Sequence, residues 1–253
     1  MLIPIIGIII FVIIAVFLFL VLKKVVKTIM ILVGIIIIVL LVGTYFVYKD
    51  AQDMQENFQT SPNVFLLEQD DKIISGFQQV PDSEEPMPIN DLSDYSIYPE
   101  DLAELKGDNY KLISFKQEAF DEIDLIELDN IEHPTSFILT LISSETPVDD
   151  YITNAIIRDG IPQEQREEEK QNMKQEFGLT DQEFKGMLFA SIFKKAVDEE
   201  GPIFIFKQYK EGNVVVYKET AVFKMINLIP TSFIKNIFAD TSSAVKEKIK
   251  EKI

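Results

Sequence analysis

Residues 180–201, TDQEFKGMLFASIFKKAVDEEG, have the pattern of the principal core helix of a soluble domain. Thr180 and Glu183 match a capping box, in which the threonine side chain accepts from the backbone and the glutamate reaches back to the cap. The apolar residues of the stretch recur on one broad helical face: Phe184, Met187, Leu188, Ile192, Phe193 and Val197. Gly201 and Pro202 end the pattern. The sequence therefore predicts a long amphipathic helix here.

Helical signals also precede this stretch. Residues 147–158 predict a short helix, because Pro147 is tolerated at a first helical position and Gly160 stands just beyond the end. Residues 162–177 form a strongly polar stretch that closes at Gly178. These segments place several helices in the same domain.

Short runs rich in β-branched and aromatic residues predict strands. Two hairpins are predicted, one from residues 64–67 and 72–79 and the other from residues 203–209 and 214–217, with two more strands at 110–116 and 136–143. Strands mixed with helices, without a regular βαβ alternation, predict an α+β domain.

Three segments carry weaker signals. Residues 81–100 contain four prolines with little periodicity and predict a surface loop. Residues 118–129 fit either a helix or an irregular segment, and residues 219–229 fit either a strand or a helix.

The N-terminus holds two apolar runs of 21 residues, 2–22 and 28–48. A helix of that length, rising about 1.5 Å per residue, spans a hydrocarbon core of about 30 Å. A cleaved signal peptide would need a basic leading region, a shorter apolar stretch and a small-residue cleavage site, which the first run lacks. The sequence predicts a membrane-anchored α+β protein, with a transmembrane helical hairpin (1–48, turn 23–27), a linker (49–62) and a soluble domain (63–253).

The orientation of this anchor follows from its lysines. Lys23, Lys24 and Lys27 are the only charged residues in 1–48, and short loops rich in lysine stay in the cytoplasm. The soluble domain is therefore predicted to be extracytoplasmic. The predicted spans hold no ionisable residue, which argues against an ion pathway or proton relay in this chain alone.

The soluble part is strongly acidic. Residues 49–253 hold 21 Lys and Arg against 41 Asp and Glu, a net charge of −20. Nucleic-acid binding is disfavoured, since phosphates need basic residues to neutralise them. The chain has no cysteine, which excludes disulfides, thiolate nucleophiles and cysteine zinc sites.

No catalytic, cofactor-binding or metal-ligating residue is predicted. His133 is the only histidine and has the setting of an ordinary surface or turn residue, and no glycine-rich phosphate loop occurs. Acidic residues cluster at 70–71, 84–85, 149–150, 167–169 and 199–200 without the alternating oxygen ligands of a calcium loop. They are typical of solvated faces. A Ser/Lys pair has no diagnostic spacing and stays open.

The C-terminus departs from this acidic background. Residues 231–253 predict an amphipathic helix, and residues 235–253 carry five Lys against three acids, a net charge of +2. Its apolar stripe consists of Ile234, Ile237, Phe238, Thr241, Val245, Ile249 and Ile253. Docking on the acidic domain is favoured over binding to the membrane surface or to a partner.

These observations favour a non-catalytic binding or assembly module on the extracytoplasmic face. The partners would be the lipid bilayer and a protein or envelope component. Two alternatives stay open: an anchored hydrolase that uses carboxylates or a Ser/Lys pair, and a cytoplasmic regulator tethered to the membrane.

Overall fold

The computed structural model describes residues 23–227, except for 40, 44, 47–48, 51–52, 54–56, 59, 82, 84, 96–104, 129 and 202. The chain divides into two compact units, Met1–Asp50 and Ala51–Ile253. The predicted span at 2–22 and the predicted basic helix at 231–253 lie outside the described residues.

Among its described residues, the first unit contains the apolar helix α1 (Lys23–Gly43), whose most apolar 18-residue stretch has a mean hydropathy of 3.1. Its side chains are exposed along nearly its whole length. Within the part of the chain that the structure describes, it is the one helix with the length and composition of a membrane anchor or a signal sequence.

The turn predicted at residues 23–27 is wrong, because these residues belong to α1. The segment Lys-Lys-Val-Val-Lys contains no glycine, proline, asparagine or aspartate to stop a helix, and lysine is a good helix former. The hydroxyl of Thr28 also donates to the Lys24 carbonyl one turn back, at 3.0 Å. The predicted two-helix hairpin therefore has no support in the described residues.

The second unit is a mixed α+β domain built on a five-stranded sheet in the order β3-β2-β1-β4-β7. Its strands are β1 (Asn63–Gln69), β2 (Lys72–Gln79), β3 (Met87–Pro88), β4 (Lys111–Lys116) and β7 (Val214–Tyr217). β1 runs parallel to β4, and the other neighbours are antiparallel. A second sheet pairs β5 (Leu125–Leu128) with β6 (Ile131–Pro134).

The first predicted hairpin is confirmed. β1 and β2 pair antiparallel around a turn in which Asp70 and Asp71 have φ of 50° and 60°. Aspartate tolerates this left-handed conformation better than most residues. The strand predicted at 110–116 is also present, as β4.

Beyond the strands, the described residues of the second unit form six helices from residue 135 onward: α2 (Thr135–Ser143), α3 (Pro147–Arg158), α4 (Arg166–Phe177), α5 (Asp181–Glu200), α6 (Ile203–Glu211) and α7 (Ala221–Ile226). The predictions for α3, α4 and α5 are confirmed. Both hydrogen bonds of the capping box at Thr180 and Glu183 are present. Gly178, just beyond α4, has φ of 63°, as expected for a left-handed helix end.

Two predicted strands are wrong. Residues 136–143 lie in α2, where the buried Ile138, Leu141 and Ile142 have helical spacing. Residues 203–209 lie in α6, so the second predicted hairpin does not form. β7 pairs instead with β4, far away in the chain. Short apolar runs carry too little periodicity to separate a strand from a buried helix.

The segments with weaker signals hold short elements. The loop predicted at 81–100 contains β3, which pairs with β2. Residues 118–129 contribute a 3₁₀ turn, Gln117–Phe120, and β5. Residues 219–229 contain α7.

The core lies on both faces of the central sheet. On the helix-covered face, the Phe65 ring lies 4.9 Å from Phe77 and 4.7 Å from Phe193 of α5. On the opposite face, Val64, Leu66 and Leu112 are buried under smaller elements. This two-sided burial explains why β1 is apolar throughout rather than alternating.

Candidate binding groove

Three helices and one strand meet around an apolar groove of about 190 Å³. The groove is lined by Leu128 of β5, Tyr151 of α3, Phe177 of α4, Leu179, and Phe184, Met187, Leu188 and Ser191 of α5. Apolar hollows of this kind bind ligands through shape and burial, with few polar groups to fix orientation.

An aromatic trio holds one side of the groove together. The rings of Phe177 and Phe184 meet edge to face at 4.9 Å, and Tyr151 lies 5.4 Å from Phe184 and 6.0 Å from Phe177. Such pairs contribute roughly 0.5–1.5 kcal/mol beyond the area that they bury. The left-handed Gly178 turns the chain so that the last residue of α4 faces the first turn of α5.

The residues that line the groove differ in exposure; the buried ones form its floor and the exposed ones its rim. Leu188 is fully buried at the floor, whereas Met187 on the rim is 44% exposed. Leu128, Phe177 and Leu179 are half-buried. Methionine adapts its shape to irregular partners and is common at binding surfaces. The groove therefore offers a deformable apolar rim with room for a large side chain.

His133 lies beside this region. It is half-buried on β6, with its ring 5.4 Å from Phe137 and 6.0 Å from Tyr151. The sequence predicted an ordinary surface or turn residue, and the structure places it in an aromatic environment next to the groove.

Asp149 and Asp150 of α3 form hydrogen bonds with neighbouring segments. Asp149 of α3 accepts hydrogen bonds from Lys170 and from Lys174, the latter at 2.6 Å, and both lysines belong to α4. These two bonds, the Lys170 bond first, hold the pKa of Asp149 below its ordinary value. Asp150 accepts from the hydroxyl of Ser144.

The acidic clusters at 199–200, 167–169 and 70–71 also face solvent or lysines. Glu199 pairs with Lys195 at 3.0 Å, and Glu200 pairs with Lys207 at 3.1 Å. The acids at 167–169 lie on α4, a helix with no buried residue, and Asp70 and Asp71 form a turn. Among the described residues, no group of three or more His, Cys, Asp or Glu side chains converges to hold a metal ion.

A second hollow, of about 300 Å³, lies on the opposite face of the sheet. Its polar groups include Gln78, whose amide donates to Asn109 at 2.6 Å, and Asp91, which accepts from the Ser93 backbone at 2.8 Å. Burial and the neighbouring Asp94 raise the pKa of Tyr95 in its wall. Since these amide and carboxylate groups bond to neighbouring residues, the hollow is a weaker candidate than the apolar groove.

Sequence reasoning did not find the groove. Phe184 and Met187 were expected on one apolar face of α5. The other lining residues come from separate segments: Leu128 and Tyr151 are 23 residues apart in the sequence, and Tyr151 and Phe177 are 26 apart. The one available signal was Phe177, an aromatic residue at the end of a stretch that is otherwise polar. A lone aromatic residue on a charged helix often marks the point where that helix is attached.

Comparison of the chain with protein-family models, with characterised proteins and with solved structures finds no match. The candidate site therefore rests on its own geometry.

Proposed function

We propose that this protein is a non-catalytic binding or assembly module, attached to a membrane through its apolar N-terminal segment. In this proposal the groove between α3, α4 and α5 receives a large apolar side chain of a protein or envelope partner. The observation that carries it is the pairing of a partly exposed, adaptable rim residue, Met187, with the buried floor at Leu188.

Charge defines the kind of partner. Residues 51–227 hold 15 Lys and Arg against 37 Asp and Glu, a net charge of −22. A field of this sign attracts basic surfaces and repels acidic ones, which raises the association rate of complementary partners. The expected partner segment is therefore an apolar side chain flanked by lysines or arginines.

Orientation is part of the same proposal. Lys23, Lys24 and Lys27 occupy the first turns of α1, and Tyr45 and Phe46 follow its other end. Lysines favour the cytoplasmic side, and aromatic rings favour the headgroup layer. The acidic domain would then be extracytoplasmic. Protease treatment of intact cells tests this: the domain should be cleaved, and protection until the membrane is breached would contradict the orientation.

Site-specific photo-cross-linking tests the groove. A benzophenone amino acid replaces Met187 in the full chain, expressed in native membranes. The matched control carries the same amino acid in place of Ile157, which is 54% exposed on α3 and does not line the groove. A second control combines the Met187 probe with Leu128→Asp, which puts a charge into the rim.

The expected result is an adduct from the Met187 position that is absent from the Ile157 position and lost with Leu128→Asp. Mass spectrometry should place the link on a membrane or envelope protein, at an apolar residue flanked by Lys or Arg. Equal adducts from both positions, or no adduct, would refute the groove as the binding site. A link to residues 231–253 of the chain itself would refute a separate partner.

A further inference from the structure

Helix α4 has an unusual composition for an element that walls a groove. Its sequence, REEEKQNMKQEF, has Met173 and Phe177 as its only apolar residues, and none of its residues is fully buried. Its neighbours α3 and α5 each bury several residues in the core. One face of α4 is half-buried, formed by Arg166, Glu169, Lys170, Met173 and Phe177. A helix that buries so little apolar surface opens at lower free-energy cost than neighbours with buried faces.

The main polar attachment of α4 is the pair of lysine bonds to Asp149. All three side chains remain partly exposed, with Lys174 56% and Asp149 29% accessible. Exposed ion pairs contribute only about 0–1 kcal/mol each and weaken further as the salt concentration rises. This attachment therefore responds to ionic strength and to competing cations.

The aromatic attachment of α4 is Phe177, which also lines the groove. Its ring covers Tyr151 and Phe184, which are only 7% and 6% exposed. Rotation of Phe177 away from α5 would uncover both rings and widen the groove beyond the size of one side chain.

The chain on either side of α4 permits this rotation. Gly160 and Gly178 both have left-handed φ angles, 71° and 63°. A Cβ at Gly160 would meet no atom within 4 Å, and one at Gly178 would meet only a backbone oxygen of its own helix at 3.9 Å. Neither glycine is wedged against a neighbouring element. At the start of α4, the Nε of Arg166 donates a hydrogen bond to the Ile161 carbonyl oxygen at 2.9 Å.

We infer that α4 is a hinged cover over the groove, closed by the Asp149–Lys170–Lys174 cluster and by Phe177. This inference rests on the proposed binding function and describes how access to the same groove is controlled. Basic groups of a partner compete with Lys170 and Lys174 for Asp149, so the partner that the groove fits also favours the open position. Binding and opening are thereby coupled.

Because the chain contains no cysteine, a single introduced thiol can be labelled without background from other thiols. Ser191→Cys places a single thiol in the groove wall, and a bulky maleimide reports its accessibility in the full chain in lipid nanodiscs. Lys72→Cys, at the exposed β1–β2 turn, is the control thiol. Each thiol is measured in the wild-type background, with Asp149→Asn, and with Glu199→Gln, which breaks an ion pair on α5 instead.

Asp149→Asn should accelerate labelling of the groove thiol roughly two- to fivefold, the range expected for loss of exposed ion pairs. Raising the salt concentration should act in the same direction and add little in the Asp149→Asn background. The Lys72 position and the Glu199→Gln background should show no such change. Hydrogen exchange should be faster in α4 with Asp149→Asn, while α3 and α5 stay protected.

Unchanged labelling of the groove thiol with Asp149→Asn, or α4 amides as protected as those of α5, would overturn the inference. Loss of protection throughout α3 would also overturn it, because the substitution would then act through α3 itself. Since no partner is present in this experiment, its outcome is independent of the cross-linking test. If α4 opens but no partner is cross-linked, the inference that α4 covers the groove would stand, and the proposed binding function would be refuted.

Discussion

Gly186→Ala adds one methyl group at the closest approach between α5 and the sheet. The new Cβ would lie 2.7 Å from Pro88 Cβ, 2.8 Å from the Gly76 carbonyl oxygen and 3.0 Å from Pro88 Cα. Two of these atoms belong to the backbone and the third to a rigid ring, so no side-chain rotation relieves the contact. Ordinary contact begins at 3.4 Å. The helix would have to withdraw by about 0.7 Å, the difference between that distance and the shortest contact.

Two opposing terms set the expected magnitude. Replacing glycine by alanine inside a helix ordinarily stabilises a protein by about 1 kcal/mol. Overpacking a well-filled site costs about 1–3 kcal/mol, and the rigid atoms here favour the upper part of that range. Withdrawal of α5 would also loosen the contacts of Phe189 and Phe193 with the sheet. The net expectation is a loss of roughly 1–2 kcal/mol, which lowers Tm by roughly 2–8 °C for a domain of this size.

Thermal unfolding followed by circular dichroism measures this effect on the full chain in detergent. The control is Ser191→Ala on the same helix, whose hydroxyl donates only within α5, to the Met187 carbonyl at 2.9 Å. That control should stay within about 0.5 kcal/mol of the wild type. A Tm for Gly186→Ala at or above the wild-type value would show that helix propensity outweighs the contact and would refute the reasoning.

Three further perturbations test other parts of the fold. Thr180→Ala removes the cap of α5 and should lower the urea midpoint by the equivalent of about 1 kcal/mol, while Thr140→Ala, whose hydroxyl bonds only within α2, should not. Phe65→Ala should cost about 3–5 kcal/mol in a denaturant titration, because the ring is fully buried between Phe77 and Phe193; a loss below about 1 kcal/mol would contradict the assigned core. Because the folded-state pKa of Asp149 is lowered, its stabilising effect is complete above the ordinary aspartate pKa of about 3.9 and is lost as pH falls through the lowered value. Asp149→Asn should therefore flatten the acid side of the stability–pH profile, and an identical profile would show that the cluster is not formed in solution.

Local chemistry predicted the elements whose ends carry strong signals. The capping box at Thr180, Pro147 with Gly160, and Gly178 marked three helices that the structure contains. These signals work because a cap or a left-handed glycine satisfies or ends the backbone within a few residues. Distant contacts are not needed for them.

Residues 136–143 and 203–209 show where such reasoning stops. Both are short and apolar, and both form helices where strands were expected. In α6, Phe204 stacks on Phe115 of β4, and Phe206 contacts Phe223 of α7. A run that is buried on most sides loses the polar face that would reveal its period.

The groove was hidden for a related reason. Tyr151, Phe177 and Phe184 are unremarkable in their own segments, and only the packing of α3, α4 and α5 brings their rings within about 6 Å of one another. The lysine cluster on Asp149 likewise joins residues more than 20 positions apart. No spacing rule connects such positions.

The sequence by itself determined the acidic character of the domain, its α+β class, the apolar N-terminal helix and the helix ends, since composition and local hydrogen bonding decide these. Tertiary structure alone decided that residues 136–143 and 203–209 are helical, that β7 joins β4, and that the mostly polar helix α4 lines an apolar groove. The reason is the range of the interactions: capping and charge act within a few residues or through composition, whereas sheet pairing and side-chain packing depend on which distant segments meet.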